Sequence, residues 1–124
     1  LKPVIRHVYC GEVENLRAWL PDDPHEVALW VCVEIGPKHG AAKKTDTFVL
    51  LVATPAGLET LEGRDNILAD RALLVMRRFD YDDLWTWLER TVAACEAESW
   101  HHVVEKLRLH FKWEFENFRT HRMT

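Results

Sequence analysis

Cysteine is scarce in this sequence, and the three that occur, Cys10, Cys32 and Cys95, form no spaced pair. An odd number rules out a fully paired disulfide framework, and a reducing, cytoplasmic setting is the simplest expectation. Long apolar runs are also missing. No stretch approaches the roughly 18 consecutive apolar residues that argue for a membrane span. The opening Leu1-Lys2-Pro3-Val4-Ile5-Arg6 has no signal-peptide core. Nor is there a basic excess: 16 Lys and Arg face 20 Asp and Glu, for a formal net charge of −4. Lys43-Lys44 and Arg77-Arg78 are isolated pairs, too short for the basic stripe that marks a nucleic-acid binder. Finally, there is no Gly-rich phosphate loop, no Gly-x-Ser-x-Gly elbow and no His-Glu-x-x-His motif, which excludes several common enzyme classes.

What is present has the balance of one globular domain spanning residues 1–124. Hydrophobic residues make up 48% and charged residues 29%, the proportions of a packed chain. At 124 residues such a chain buries about two-thirds of its unfolded surface, enough to fold without disulfides or metal.

Val4 to Cys10 reads as a strand, with Val4, Val8 and Cys10 on one face and Ile5, His7 and Tyr9 on the other. Leu16 to Trp19 suggests a turn of helix, ended by the stiff acidic loop Pro21-Asp22-Asp23-Pro24. Val27 to Gly36 is the clearest strand. Val27, Leu29, Val31, Val33 and Ile35 alternate to make a uniformly aliphatic face, and Ala28, Trp30, Cys32 and Glu34 fall on the other, predicted to be half exposed. Thr47 to Ala53 is its expected antiparallel hairpin partner, across a long polar loop. Thr54-Pro55 is an N-cap followed by Pro at the first helical position, opening a short helix to about Leu61. Ala72 to Phe79 is a further strand.

Asp80 caps the next helix, with Asp83 three residues later and Asp82 beside it at the positive end of the helix dipole. Tyr81, Leu84, Trp85, Leu88, Val92 and Cys95 form its apolar stripe, and Trp87 falls off it. Ser99 caps a last helix with Trp100, Val103, Val104, Leu107 and Phe111 in register. Phe115 and Phe118 continue that spacing, so the helix runs on or re-forms after a break near His110. Strands and helices do not alternate. The fold class expected is therefore α+β: a mainly antiparallel sheet of about four strands with the C-terminal helices packed on one face.

Seven histidines raise the question of metal. His101 and His102 are adjacent, so on a helix they point about 100° apart, and no Cys-x-x-Cys or His-x-x-x-His pair starts a zinc site. No metal, cofactor or catalytic residue is expected. Cys10 and His7 are three apart in a strand and face opposite ways, which argues against a Cys–His nucleophile. Cys32 and Cys95 read as small buried hydrophobes. Six tryptophans are more than a domain of this size needs. Trp85 and Trp100 lie on core stripes, whereas Trp19, Trp30, Trp87 and Trp113 do not. Tryptophan beside acidic residues is typical of binding hot spots. In Trp113-Glu114-Phe115-Glu116 two readings stand: aromatics that anchor a terminal segment to the sheet, or an acidic edge that meets a partner.

Several of these pieces, in this order, resemble the immunity protein 8 family of bacterial polymorphic toxin systems. They are Val4-Ile5-Arg6-His7, Trp19, Pro21-Asp22-Asp23-Pro24, Gly36-Pro37-Lys38, Thr54-Pro55, Cys95-Glu96, Trp100, Val104-Glu105-Lys106-Leu107 and Trp113-Glu114-Phe115-Glu116. The resemblance covers nearly the whole chain. It departs at the extended loop His39 to Lys44, and at Phe118, where the family pattern has tyrosine.

The resemblance implies a non-enzymatic protein without cofactor, made beside a secreted toxin and binding that cognate toxin domain to protect the producing cell. Mild acidity suits a basic nuclease as the toxin, since charge complementarity speeds encounter. The expected contact residues are Asp22, Asp23, Trp30, Glu34, Trp113, Glu114 and Glu116. The alternative is a general protein-interaction or dimerisation module with no toxin partner, and monomer and homodimer both stay open. A small enzyme would instead require a concave pocket with convergent polar groups.

Overall fold

The computed structural model describes residues 1–39, 45–61 and 66–116. Its elements are β1 (Pro3–Tyr9), β2 (Ala28–Pro37), β3 (Asp46–Ala53), α1 (Pro55–Glu59), β4 (Leu73–Val75), α2 (Tyr81–Ala93), α3 (Trp100–Leu107) and β5 (Lys112–Trp113). The strands form one five-stranded sheet in the order β1-β2-β3-β4, with β5 also on β3. β1–β2, β2–β3 and β3–β5 are antiparallel, and β3–β4 is parallel. The α+β architecture with late helices is as expected, with one strand more than the periodicity predicted.

Alternation in β2 sets the layers. Val31, Val33 and Ile35 are wholly buried, with Phe48, Leu50 and Val52 behind them from β3. Leu84, Leu88 and Val92 of α2 and Val103, Val104 and Leu107 of α3 join the same core. Both long helices therefore cover one face of the sheet. Asp80 caps α2 by accepting from the Asp83 N–H, and Ser99 caps α3 by accepting from the His102 N–H, both as the sequence predicted.

Five local readings are corrected or refined. In β1 the register slips between Ile5 and His7. One extra residue reverses the side-chain alternation beyond it, so Ile5 and Val8 both pack on the core. β4 is short and parallel to β3, reached through the α1 crossover that parallel pairing demands. The Phe79 N–H has left the sheet and donates to the Pro24 carbonyl. Trp87 packs against the core with its ring 6.1 Å from Phe111. Cys95 is buried, but Cys32 is only half-buried, because it faces away from the helices. The last helix stops at Leu107, and Phe115 lies in a turn beyond β5. Residues 40–44 of the extended loop and Phe118 fall outside the described residues.

Thr54 joins the hairpin to the crossover and is 1% exposed. Its Oγ1 accepts from the Val27 N–H at 2.9 Å and the Gly57 N–H at 3.1 Å, and donates to the His25 carbonyl at 2.6 Å. Gly57 sits so close to Val27 that a Cβ would overlap its carbonyl. Thr54→Val keeps the shape and strands two buried N–H groups. It is expected to cost about 2–3 kcal/mol in urea unfolding. Gly57→Ala is expected to cost at least about 2 kcal/mol, whereas Ala56→Ser on the exposed side of the same helix leaves stability nearly unchanged.

Candidate functional site: the open sheet face

The face turned away from α2 and α3 can be read row by row from the register. One row runs His7, Glu34, Thr47 and then Glu114, whose N–H donates to the Thr47 carbonyl. The next is Tyr9, Cys32, Val49 and Lys112. The third is Trp30, Leu51 and Leu73, and the fourth Ala28, Ala53 and Val75. Polarity thus falls along the face from an acidic end to an apolar end.

Trp30 is 41% exposed, the one tryptophan of the six among the exposed large hydrophobics. The other tryptophans named as off-stripe are partly buried against the core. Trp19 meets Phe79 edge-on at 5.2 Å, Trp87 meets Phe111, and Trp113 packs against the core with Phe115 at 5.2 Å. The Lys112 ammonium lies 5.2 Å from the centre of the Trp30 ring and 2.8 Å from Asp70. An ammonium near an aromatic face is attracted by the ring's quadrupole.

At the acidic end, His7 and Tyr9 stack with centroids 4.9 Å apart. Partial burial, then the nearby Cys32 and Glu34, push the Tyr9 hydroxyl above its ordinary pKa. Glu114 also contributes, so both carboxylates act on this ring. The Cys32 thiol is likewise raised, first by burial, which keeps it protonated. Glu114 accepts from the Thr47 N–H at 3.2 Å and so closes the end of the β3–β5 ladder with its side chain.

The remaining predicted residues lie elsewhere. Glu116 turns inward: it is ion-paired to Arg71, accepts from Arg108 Nε at 3.2 Å and takes the Trp113 N–H at 3.1 Å. Arg71 also donates to the Arg108 and Phe111 carbonyls. Glu116 and Trp113 together pin the segment after α3 to the sheet, which is the anchoring reading. Asp22 and Asp23 are exposed on the loop before β2, where Asp23 accepts from the His25 N–H. About 20 Å of strand, at 3.4 Å per residue, separates the start of β2 from Glu34. The structure therefore brings together Trp30, Glu34 and Glu114 on one face and leaves Asp22–Asp23 at its far end.

Among the described residues no group of three or more His, Cys, Asp and Glu is placed to hold a metal ion, and no helix is long and apolar enough to cross a membrane. Several clefts open between the elements. One of about 260 Å³ lies between the acidic loop and the start of α2, and one of about 190 Å³ between β1 and α2.

An α+β domain with one sheet face free of the helices, and an exposed tryptophan two rows from a pair of carboxylates on that face, has the form of a protein-binding domain. The family profile of immunity protein 8 matches residues 4–118, and the chain belongs to that family. No curated protein and no solved structure matches it.

The terminal anchor makes stability depend on acid. Burial works against the charged forms of Asp70 and Glu116, but hydrogen bonds outweigh it. Lys112 and the Ala72 N–H hold Asp70 below the usual carboxylate range, and the Trp113 N–H, Arg71 and Arg108 do the same for Glu116. A carboxyl whose folded pKa is depressed stabilises the fold above its unfolded pKa, and that contribution is lost as pH falls through the folded value. Unfolding free energy is therefore expected to decline as pH falls below about 4.5. Glu116→Gln is expected to lower stability at neutral pH by about 1–2 kcal/mol and to flatten the acid slope, as urea melts at several pH values would report.

Proposed function

We propose that this protein neutralises a cognate secreted toxin by binding the toxin's domain in the cytoplasm of the producing cell, without catalysis or a cofactor. Membership of an immunity protein family over residues 4–118 carries this reading. Immunity of this kind requires affinity and complementarity rather than chemistry. The open face supplies a half-exposed aromatic anchor with carboxylates around it. The acidic balance of the chain steers a basic partner towards it, which raises the association rate at low ionic strength.

The contact surface proposed is centred on Trp30, Glu34 and Glu114, with Asp22 and Asp23 as its far rim. Trp113 and Glu116 contribute by holding the terminal segment that carries Glu114. The general interaction-module reading predicts instead a stable homodimer that ignores the toxin.

The test is titration against the C-terminal domain of the toxin encoded beside it, at low and high salt, paired with co-expression in cells. One-to-one nanomolar binding with protection of the cells is expected, weakening as salt rises. Trp30→Ala is expected to cost about 2 kcal/mol of binding, and Glu34→Lys with Glu114→Lys to slow association. The Trp30→Ala melting temperature should stay close to that of the parent, since the side chain is half-exposed. A dimer in solution with no affinity for the toxin would point to the interaction module.

A further inference from the structure

β2 outruns β1. Pairing between them ends at Tyr9↔Cys32, while β2 begins four residues earlier at Ala28. Antiparallel neighbours exchange hydrogen bonds at every second residue. The Thr54 N–H donates to the Val27 carbonyl, so Val27, Leu29, Val31, Val33 and Ile35 bond towards β3. The Lys38 N–H donates to the Lys2 carbonyl, so the even-numbered residues bond towards β1. Ala28 and Trp30 are even-numbered, and β1 is gone where they stand. Their N–H and C=O groups therefore point away from β3 into the lane beyond the end of β1, and no described residue pairs with them there.

A cleft of about 560 Å³ occupies that lane, walled by Glu12, Trp19, Glu26, Ala28, Trp30 and Leu61 among others. Its described walls carry no lysine or arginine. Glu12 and Glu26 are exposed and form no ion pair among the described residues. Two strand residues whose backbone groups have no partner among the described residues, a half-exposed indole and two carboxylates with no ion pair among them thus meet in one place. The backbone groups ask for an extended main chain, as in recognition by strand addition. The carboxylates ask for a cationic side chain on it.

We propose that an extended, lysine- or arginine-bearing segment of the toxin adds as a short strand beside Ala28 and Trp30, in the lane that β1 vacates. Its main chain pairs with those two residues, and its basic side chains meet Glu12 and Glu26. This deepens the immunity reading and rests on it. Trp30 then serves twice, through its backbone in the lane and through its ring on the open face.

The test uses the full chain and the C-terminal domain of the neighbouring toxin. Hydrogen exchange is followed at the Ala28 and Trp30 amides with and without the toxin. In parallel, Glu12→Lys/Glu26→Lys is titrated at low salt after its melting temperature has been checked against the parent. Both positions are exposed, so the variant is expected to fold. Exchange at both amides should slow at least tenfold in the complex, and the double reversal should weaken binding at least tenfold. Binding of the parent without protection of these amides, or with the double reversal within twofold of the parent, overturns the lane and leaves immunity standing. A parent that neither binds the toxin nor protects cells overturns the immunity reading, and the lane with it.

Discussion

The constraint on which the structure turns is that β2 can be dry on only one face. Val31, Val33 and Ile35 are fully buried while Trp30 between the same strands is open, and strict alternation leaves no intermediate solution. Two amphipathic helices supply one apolar layer, and they go where β2 and β3 are aliphatic. Neither helix covers the opposite face, where Trp30 and Val75 are exposed while Leu51 and Ala53 are buried. Fixing the hairpin register depends in turn on Thr54. Its hydroxyl closes the β2–β3 junction and caps α1 at once, so the crossover to β4 starts from a defined point.

The uncovered face is held rigid from its edges. β5 is only two residues long, too short to stay paired on ladder bonds alone. The charges around it compensate. Glu116 ties Trp113 to Arg71 and Arg108, and Lys112 ties the same segment to Asp70. Because Asp70 also takes the Ala72 N–H, this one network locates β5 and the approach to β4 together. The carboxylate of Glu114 and the ammonium over Trp30 are thereby fixed in place before any partner arrives, which lowers the entropy that binding must overcome.

How much of this was legible depended on whether a signal was local. The caps at Asp80 and Ser99, the stripe of α2 and the alternation of β2 are local, and each could be read from residue types a few positions apart. Trp30 was identified the same way, by its parity in β2. Trp87 falls off the stripe and still packs on the core, because a stripe describes one face of a helix, whereas Phe111 reaches the helix from beyond α3. The slip in β1 was invisible because both parities of Val4 to Cys10 contain apolar residues, so nothing in the pattern marks the extra one. Glu116 and Glu114 sit two apart with the same chemistry, yet one faces the guanidinium groups of Arg71 and Arg108 and the other the sheet end. Only the path of the chain separates them. Glu12 and Glu26 carried no signal at all, since their neighbourhood is created by where β1 stops.

Backbone and side chains have different parts to play on such a surface. Main-chain pairing is nearly indifferent to sequence, so an open lane supplies affinity and register to any extended segment, and specificity has to come from what surrounds it. Here the surroundings combine a ring that tolerates cations with carboxylates at the lane and at the far row. Exposed charges of this kind contribute little to equilibrium affinity one by one, but they repel acidic competitors and speed the approach of basic ones. The half-exposed indole offers apolar surface and is indifferent to which cation lies beside it. On the proposed reading, binding one toxin tightly while ignoring the cell's other proteins is better served by an aromatic centre with an acidic margin than by a larger apolar patch, which would attract partners without discrimination.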